Sequence, residues 1–334
     1  MSANFVIAHS PKLPKAIAVQ LPYPHLLTDS SPLYFWQMDN SGKSESFHPI
    51  TSSPSGSFFD SFFDQWAHSQ LHPNRPDTLV FVHGFQTSFA RLRLILNQLI
   101  RCYVQPANSS IGRVVLFHWP SANILSYKAY RSERLDAIDS AWVFADLIFR
   151  WADFMKNVAT EPPTGNIHLM CHSMGNFLLQ HTMEYLTANI SRVNRFFSQI
   201  ILAAADTDWT LFESGSIFTS LPAIARRVNV YYQPQDAVLW ASQQQHQIKR
   251  LGRDGPSNID EIIESSPYGE SLHLIRCVHH SSGQLSDKRE RLLRHWYYYA
   301  QQQVVNDMRA VLCNHTPSGR IPFSSSTVSF ALIN

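Results

Sequence analysis

Residues 166–176 read NIHLMCHSMGN. The breaker EPPTG (161–165) precedes them, a short apolar run follows, and a helical pattern continues through about residue 189. A buried strand that passes directly into a helix is the repeating unit of a parallel sheet. Ser173 falls at the junction, past the carboxyl end of the strand, which is where ligands bind in such sheets. A sharp strand–serine–helix turn lifts the hydroxyl into a cleft and aims the helix N-terminus at the same point. This is the nucleophile elbow, G-x-S-x-G in its usual form. Gly175 supplies the small residue after the serine. Cys171 stands where Gly or Ala is usual, and a buried thiol is small enough to pack there as their substitute.

The alternation extends outward from this stretch. TLVFVHG (78–84), RVVLFHWPS (113–121), SQIILAAAD (198–206), VNVYYQP (228–234) and LHLIRCVH (272–279) read as further strands. Helices are expected at 88–103, 131–156 and 296–313, the second with an inward stripe of Leu135, Ile138, Trp142, Ala145, Ile148, Ala152 and Met155. Residues 240–271 are polar and weakly patterned. The expected fold class is α/β, a mostly parallel central sheet with helices on both faces and an extra N-terminal segment. We divide the chain into an N-terminal extension (1–77), a catalytic domain (78–315) and a C-terminal tail (316–334). The extension should hold a strand at 32–38 and an amphipathic helix in GSFFDSFFDQWAHS, with Phe58, Phe59, Phe62, Phe63 and Trp66 on one side.

Composition narrows the function. Of 334 residues, 44 % are hydrophobic and 16 % charged, and the formal net charge is +2. The chain can bury a sizeable core, and it lacks the basic excess of a nucleic-acid binder. Four scattered cysteines without a CxxC pair argue against zinc and against a disulfide framework. The N-terminus shows no signal-peptide pattern, and no apolar run is long enough to span a bilayer. A cytoplasmic location, no stable membrane insertion and no nucleic-acid partner are expected. Nothing in the composition fixes an oligomeric state.

The strand 78–84 ends in His83-Gly84. In serine hydrolases with an elbow, the loop after such a strand donates one backbone N–H to the oxyanion, and the residue after the nucleophile donates the other. Those groups are the amides of Phe85 (or Gln86) and Met174. With these features in place, the chain resembles an α/β-hydrolase. More narrowly, it is similar to the DUF900 group of bacterial α/β-hydrolases of unknown function. The matching stretches are FVHGFQTSF, VVLFHWPS, IHLMCHSMGN, ILAAADTD and RHWYY, within about residues 78–312.

That fold supplies its triad in the order serine, acid, histidine. Asp236, after VNVYYQP, is the expected acid; Asp206 and Asp208, after the preceding strand, are alternatives. The resemblance places the base at His295 in HWYY, with His280 and His279 as alternatives. The implied activity is hydrolysis of a carboxylic ester or related acyl bond in a small-molecule substrate, without cofactor or metal. A non-catalytic binding scaffold, or acyl transfer through the same residues, are the competing readings. Trp119, Tyr127 and Trp240, with Phe85, Phe89 and Tyr130, are expected near the cleft rim as an apolar acyl site.

Overall fold

The computed structural model describes residues 4–9, 33–38, 44–50, 59–68, 76–121, 124–157, 165–265, 268–278, 294–322 and 329–333. They fall into two compact units, Met1–Asn166 and Ile167–Asn334.

In the first unit, strand β4 (Asp77–Val82) pairs in parallel with β5 (Ile111–His118), and β5 pairs in parallel with β1 (Asn4–His9). Strands β2 (Leu33–Met38) and β3 (Ser44–Ile50) extend this sheet antiparallel. Every residue of β4 and β5 is buried, as expected for unbroken apolar runs in a parallel sheet. The sequence reading does not contain β1. Its run FVIA is only four residues long. What makes it a strand is the long-range partner: Ile7 pairs with Phe117, and Asn4 Oδ1 accepts the Val114 N–H at 2.9 Å.

Helix α1 (Phe59–His68) is the amphipathic segment expected in the extension. Its Phe62, Phe63 and Trp66 are buried, and all three meet Trp151 at centroid distances of 5.0 to 6.0 Å. The Trp66 indole donates to Thr78 Oγ1 at 3.1 Å. The buried Arg113 guanidinium lies over that indole and donates to the Trp66 carbonyl. The side chains of Phe58 and Phe59 lie outside the described residues. Helix α2 (Phe89–Leu99) is capped by Ser88 and buries Leu92, Leu96 and Leu99 as its spacing predicts.

Helix α3 (Tyr127–Asn157) corrects the expected stripe. Leu135 and Trp142 are 63 % and 47 % exposed. The N-terminal half instead turns Ala137, Ser140 and Ala141 inward. Tyr130 and Glu133 are buried in the same half, so the inward face runs through 130, 133, 137 and 140–141 at helical spacing and leaves Leu135 and Trp142 on the other side. In the C-terminal half, Ala145, Ile148 and Ala152 are buried as expected.

In the second unit the strand order is β6 (Ile167–His172), β7 (Phe197–Ala203), β8 (Ala225–Tyr232), β9 (Leu272–Val278), β11 (Ser329–Ile333) and β10 (Arg320–Pro322). All neighbours are parallel except β10 with β11. Helix α4 (Met174–Thr187) follows β6 and the short α5 (Leu221–Ile224) precedes β8. The weakly patterned stretch after β8 forms α6 (Ala237–His246), α7 (Leu251–Asp254) and α8 (Ile259–Ser265). At Gly252 a Cβ would lie 2.0 Å from Ala205 N, so only glycine lets α7 press against the chain leaving β7.

The final helical segment is broken at Gln301 into α9 (Tyr297–Ala300) and α10 (Gln302–Leu312). Beyond residue 315, Arg320–Pro322 and Ser329–Ile333 enter the sheet as β10 and β11. A buried network holds them: Arg320 grips Asp307 of α10 through both carboxylate oxygens at 2.8 and 2.9 Å, and Tyr231 of β8 donates to Asp307 at 2.5 Å. The architecture is the expected α/β class, with mostly parallel strands flanked by helices.

Candidate active site

Ser173 links β6 to α4 with φ 53° and ψ −124°, a conformation that costs a non-glycine residue on the order of 1–3 kcal/mol. Several bonds hold it. Ser173 N–H donates to Ala203 O at 3.0 Å, and Ser173 O accepts from the amides of Asp206 (3.2 Å) and Asn176 (3.0 Å). The fully buried Asn176 side chain donates through Nδ2 toward three carbonyls, those of Cys171, Ser173 and Ala203, at 3.0 to 3.2 Å. Asn176 was not singled out in the sequence, where the only signal is a polar residue in the first turn of an apolar helix.

Cys171 is fully buried beneath the turn, and burial pushes its thiol well above the ordinary value of 9.0. It is packing, as its position before the serine suggested. Met174, also buried, begins α4.

Asp236 is the N-cap of α6. Its Oδ1 accepts from the amides of Val238 and Leu239, both at 2.9 Å. Its Oδ2 lies 2.7 Å from His295 Nδ1. The carboxylate here is an acceptor, so Nδ1 carries a proton, the tautomer in which an uncharged imidazole has its lone pair on Nε2. Both side chains are almost wholly buried. Among the described residues, Ser173 Oγ and the His295 ring are not hydrogen-bonded to each other.

The alternative acids are engaged elsewhere. Asp206 accepts from Ser242 Oγ at 2.5 Å and lies 3.5 Å from Arg250 Nε. Asp208 pairs with Arg250 Nη1 at 2.5 Å. A fully buried arginine therefore faces both carboxylates. His279 and His280 lie outside the described residues. The carbonyl of His295 accepts from His172 Nε2 at 3.1 Å, and the two rings lie 4.7 Å apart. Trp240, on α6, is 52 % exposed.

The remaining candidates belong to the first unit. Phe85 is half-buried and meets Tyr130 edge-on at 5.4 Å. Of the two amides considered for the loop after β4, that of Gln86 (φ 60°) donates to Glu133 Oε2 at 3.1 Å. That of Phe85 has no partner among the described residues. Trp119 is fully buried: it stacks on His83 at 5.1 Å, and its indole donates to His83 O at 3.0 Å. Tyr127 is exposed, with Arg131 over its ring; the Phe89 side chain is outside the described residues.

His83 Nδ1 donates to Gly84 O at 2.8 Å, which leaves Nε2 to accept from His118 Nδ1 at 2.8 Å. Burial lowers His83 to about 4. Burial, and next the charge on His83, hold His118 well below 6.5. Among the described residues, no group of three or more His, Cys, Asp or Glu side chains is arranged to hold a metal, and no helix is long and apolar enough to cross a membrane.

A family model described as an alpha/beta hydrolase of unknown function (DUF900) matches residues 61–312. No curated protein matches the chain.

Proposed function

The chain belongs to the DUF900 family of α/β-hydrolases of unknown function, and on that premise we propose that it is a serine hydrolase cleaving a carboxylic ester or related acyl bond. Ser173 is the nucleophile, His295 the general base and Asp236 the carboxylate that orients it. The observation that carries this reading is the buried 2.7 Å bond between His295 Nδ1 and Asp236 Oδ2. It leaves Nε2 basic, in the same unit as a serine held in the strained turn conformation of an elbow.

In the proposed reaction, Nε2 takes the Ser173 proton as Oγ attacks the acyl carbon. The bond from Ser173 to His295 forms with substrate in place, since catalytic hydrogen bonds are often open in the free enzyme. The Met174 N–H at the start of α4 is one oxyanion donor. The Phe85 N–H is assigned as the second from sequence order. Each donor of this kind is worth ~3 kcal/mol of transition-state stabilisation. The imidazolium then protonates the leaving alkoxide, and the neutral ring next activates water against the acyl-enzyme. The exposed Trp240 ring on α6 is a candidate contact for an apolar acyl chain.

The test is a fluorophosphonate probe together with p-nitrophenyl esters of increasing chain length. Wild-type protein should be labelled once per chain and should turn over at least one ester. Ser173→Ala should lose both while keeping its melting temperature within a few degrees. Equal labelling of Ser173→Ala would sink the assignment, and the preferred ester would define the acyl class.

A further inference from the structure

His172 is the last residue of β6, directly before the serine, and nothing in the chemistry above uses it. Its Nε2 lies 3.1 Å from the backbone carbonyl of His295. A carbonyl only accepts, so Nε2 carries the proton and donates. Residues His172 and His295 are 5 % and 4 % exposed, so water competes weakly for this bond. The His172 ring also packs on Tyr298 at 4.6 Å. Two residues beyond His295, the Tyr297 hydroxyl donates to Tyr231 O at 2.8 Å and accepts from Ala204 N at 2.6 Å. Ala204, at φ 46°, immediately follows β7.

We propose that His172 is a positioning residue for the base: it holds the His295 backbone while Asp236 holds the His295 ring. The role rests on the hydrolase reading and adds a residue to it. The side chain of His295 can rotate about its Cα–Cβ bond unless Asp236 stops it. Its backbone can shift unless a second bond stops that, and His172 makes this bond one residue before the nucleophile. The carboxyl end of β6 thus carries both the serine and the clamp on its base. A donor without a permanent charge suits the position, because Lys or Arg would set a fixed positive charge beside a ring that must become an imidazolium. Gln reaches as far as Nε2; Asn is one methylene short.

The experiment compares wild type with His172→Leu, His172→Gln and His172→Asn, using p-nitrophenyl acetate turnover and fluorophosphonate labelling at Ser173. His172→Leu should lower kcat about ten- to a hundredfold, the scale of a modest misplacement of a reacting group, with KM within about twofold. It should still label to one probe per chain, only more slowly. His172→Gln should recover most of kcat. A purely structural role would reduce the labelled fraction instead and leave the surviving chains at full rate. That result would overturn the proposal, as would a His172→Leu kcat within about twofold of wild type or a His172→Gln enzyme as slow as His172→Leu. Should His172→Leu fail to fold, the Gln and Asn enzymes decide: a faster Gln enzyme supports the clamp and equal rates overturn it. Wild-type protein that takes no label would overturn the hydrolase reading and this role together. Labelled wild type with unchanged variants would overturn the role of His172 alone.

Discussion

One oxygen of Asp236 caps helix α6 through two amide bonds of 2.9 Å, while the other meets His295 Nδ1 at 2.7 Å. The carboxylate is thereby fixed to the start of α6 and to the imidazole at once, and the two duties are separable by mutation. Asn is as good a helix cap as Asp but presents an amide to the imidazole. Asp236→Asn should lose about 10⁴-fold in kcat, the scale seen when the base is left in the wrong tautomer, with little change in stability. Asp236→Ala should lose activity and also about 1 kcal/mol of stability with the cap. Esterase kinetics beside urea denaturation would separate the two. An active Asp236→Asn enzyme would show that the acid lies elsewhere.

Asn176 supports the serine turn from beneath, through one amide shared among three buried carbonyls. Asn176→Ala removes the donor and leaves those acceptors in a dry site. A loss of about 2–4 kcal/mol is expected, with slower labelling of Ser173 as the turn relaxes. Asn176→Asp should be worse, since a carboxylate would face carbonyl oxygens. Urea melts of both variants check the order.

Stability should depend on pH through the buried His83–His118 pair. Burial holds His83 at about 4, against 6.5 when exposed. Between those values the unfolded chain binds a proton that the folded chain does not. The folded state is therefore favoured most above pH 6.5 and loses ground as the pH falls toward 4. His83 alone should account for a loss of about 2 kcal/mol between pH 7.5 and pH 5. His83→Gln, which cannot titrate there, should flatten the profile. An unchanged slope in urea denaturation would place the effect on other histidines.

Cys171 should be silent. Its thiol is buried and its ionisation disfavoured, so iodoacetamide at pH 8 should leave it unmodified in the native protein and alkylate it in urea. Cys171→Ala should keep esterase turnover within a few-fold, because Ala also fits the position before the serine. Mass-spectrometric mapping of alkylated peptides reads the first expectation, and loss of turnover in Cys171→Ala would contradict the second.

The sequence by itself determined the elements that local physics specifies. Short, mostly apolar runs bounded by breakers, such as IHLMC and TLVFV, read as strands buried on both faces. The Ser173 turn with Gly175 behind it can only be a tight strand-to-helix junction. The helix at Phe59–His68 was legible from its aromatic spacing, and Asp236 was a candidate only as the first acid after the strand VNVYYQP, in the order the family resemblance implies. Only the tertiary structure decided what depends on partners far along the chain. Strand β1 exists because β5, about a hundred residues away, accepts it. The inward face of α3 is set by tertiary packing and not by its own apolar spacing, so Glu133, Ala137 and Ala141 turn in while Leu135 and Trp142 turn out. Asp206 and Asp236 both follow strands and look alike in sequence. They part because Arg250 and Ser242 reach the first while His295 reaches the second. The contact between His172 and the His295 carbonyl has no sequence signature, because a backbone oxygen accepts from any side chain that the fold brings to it.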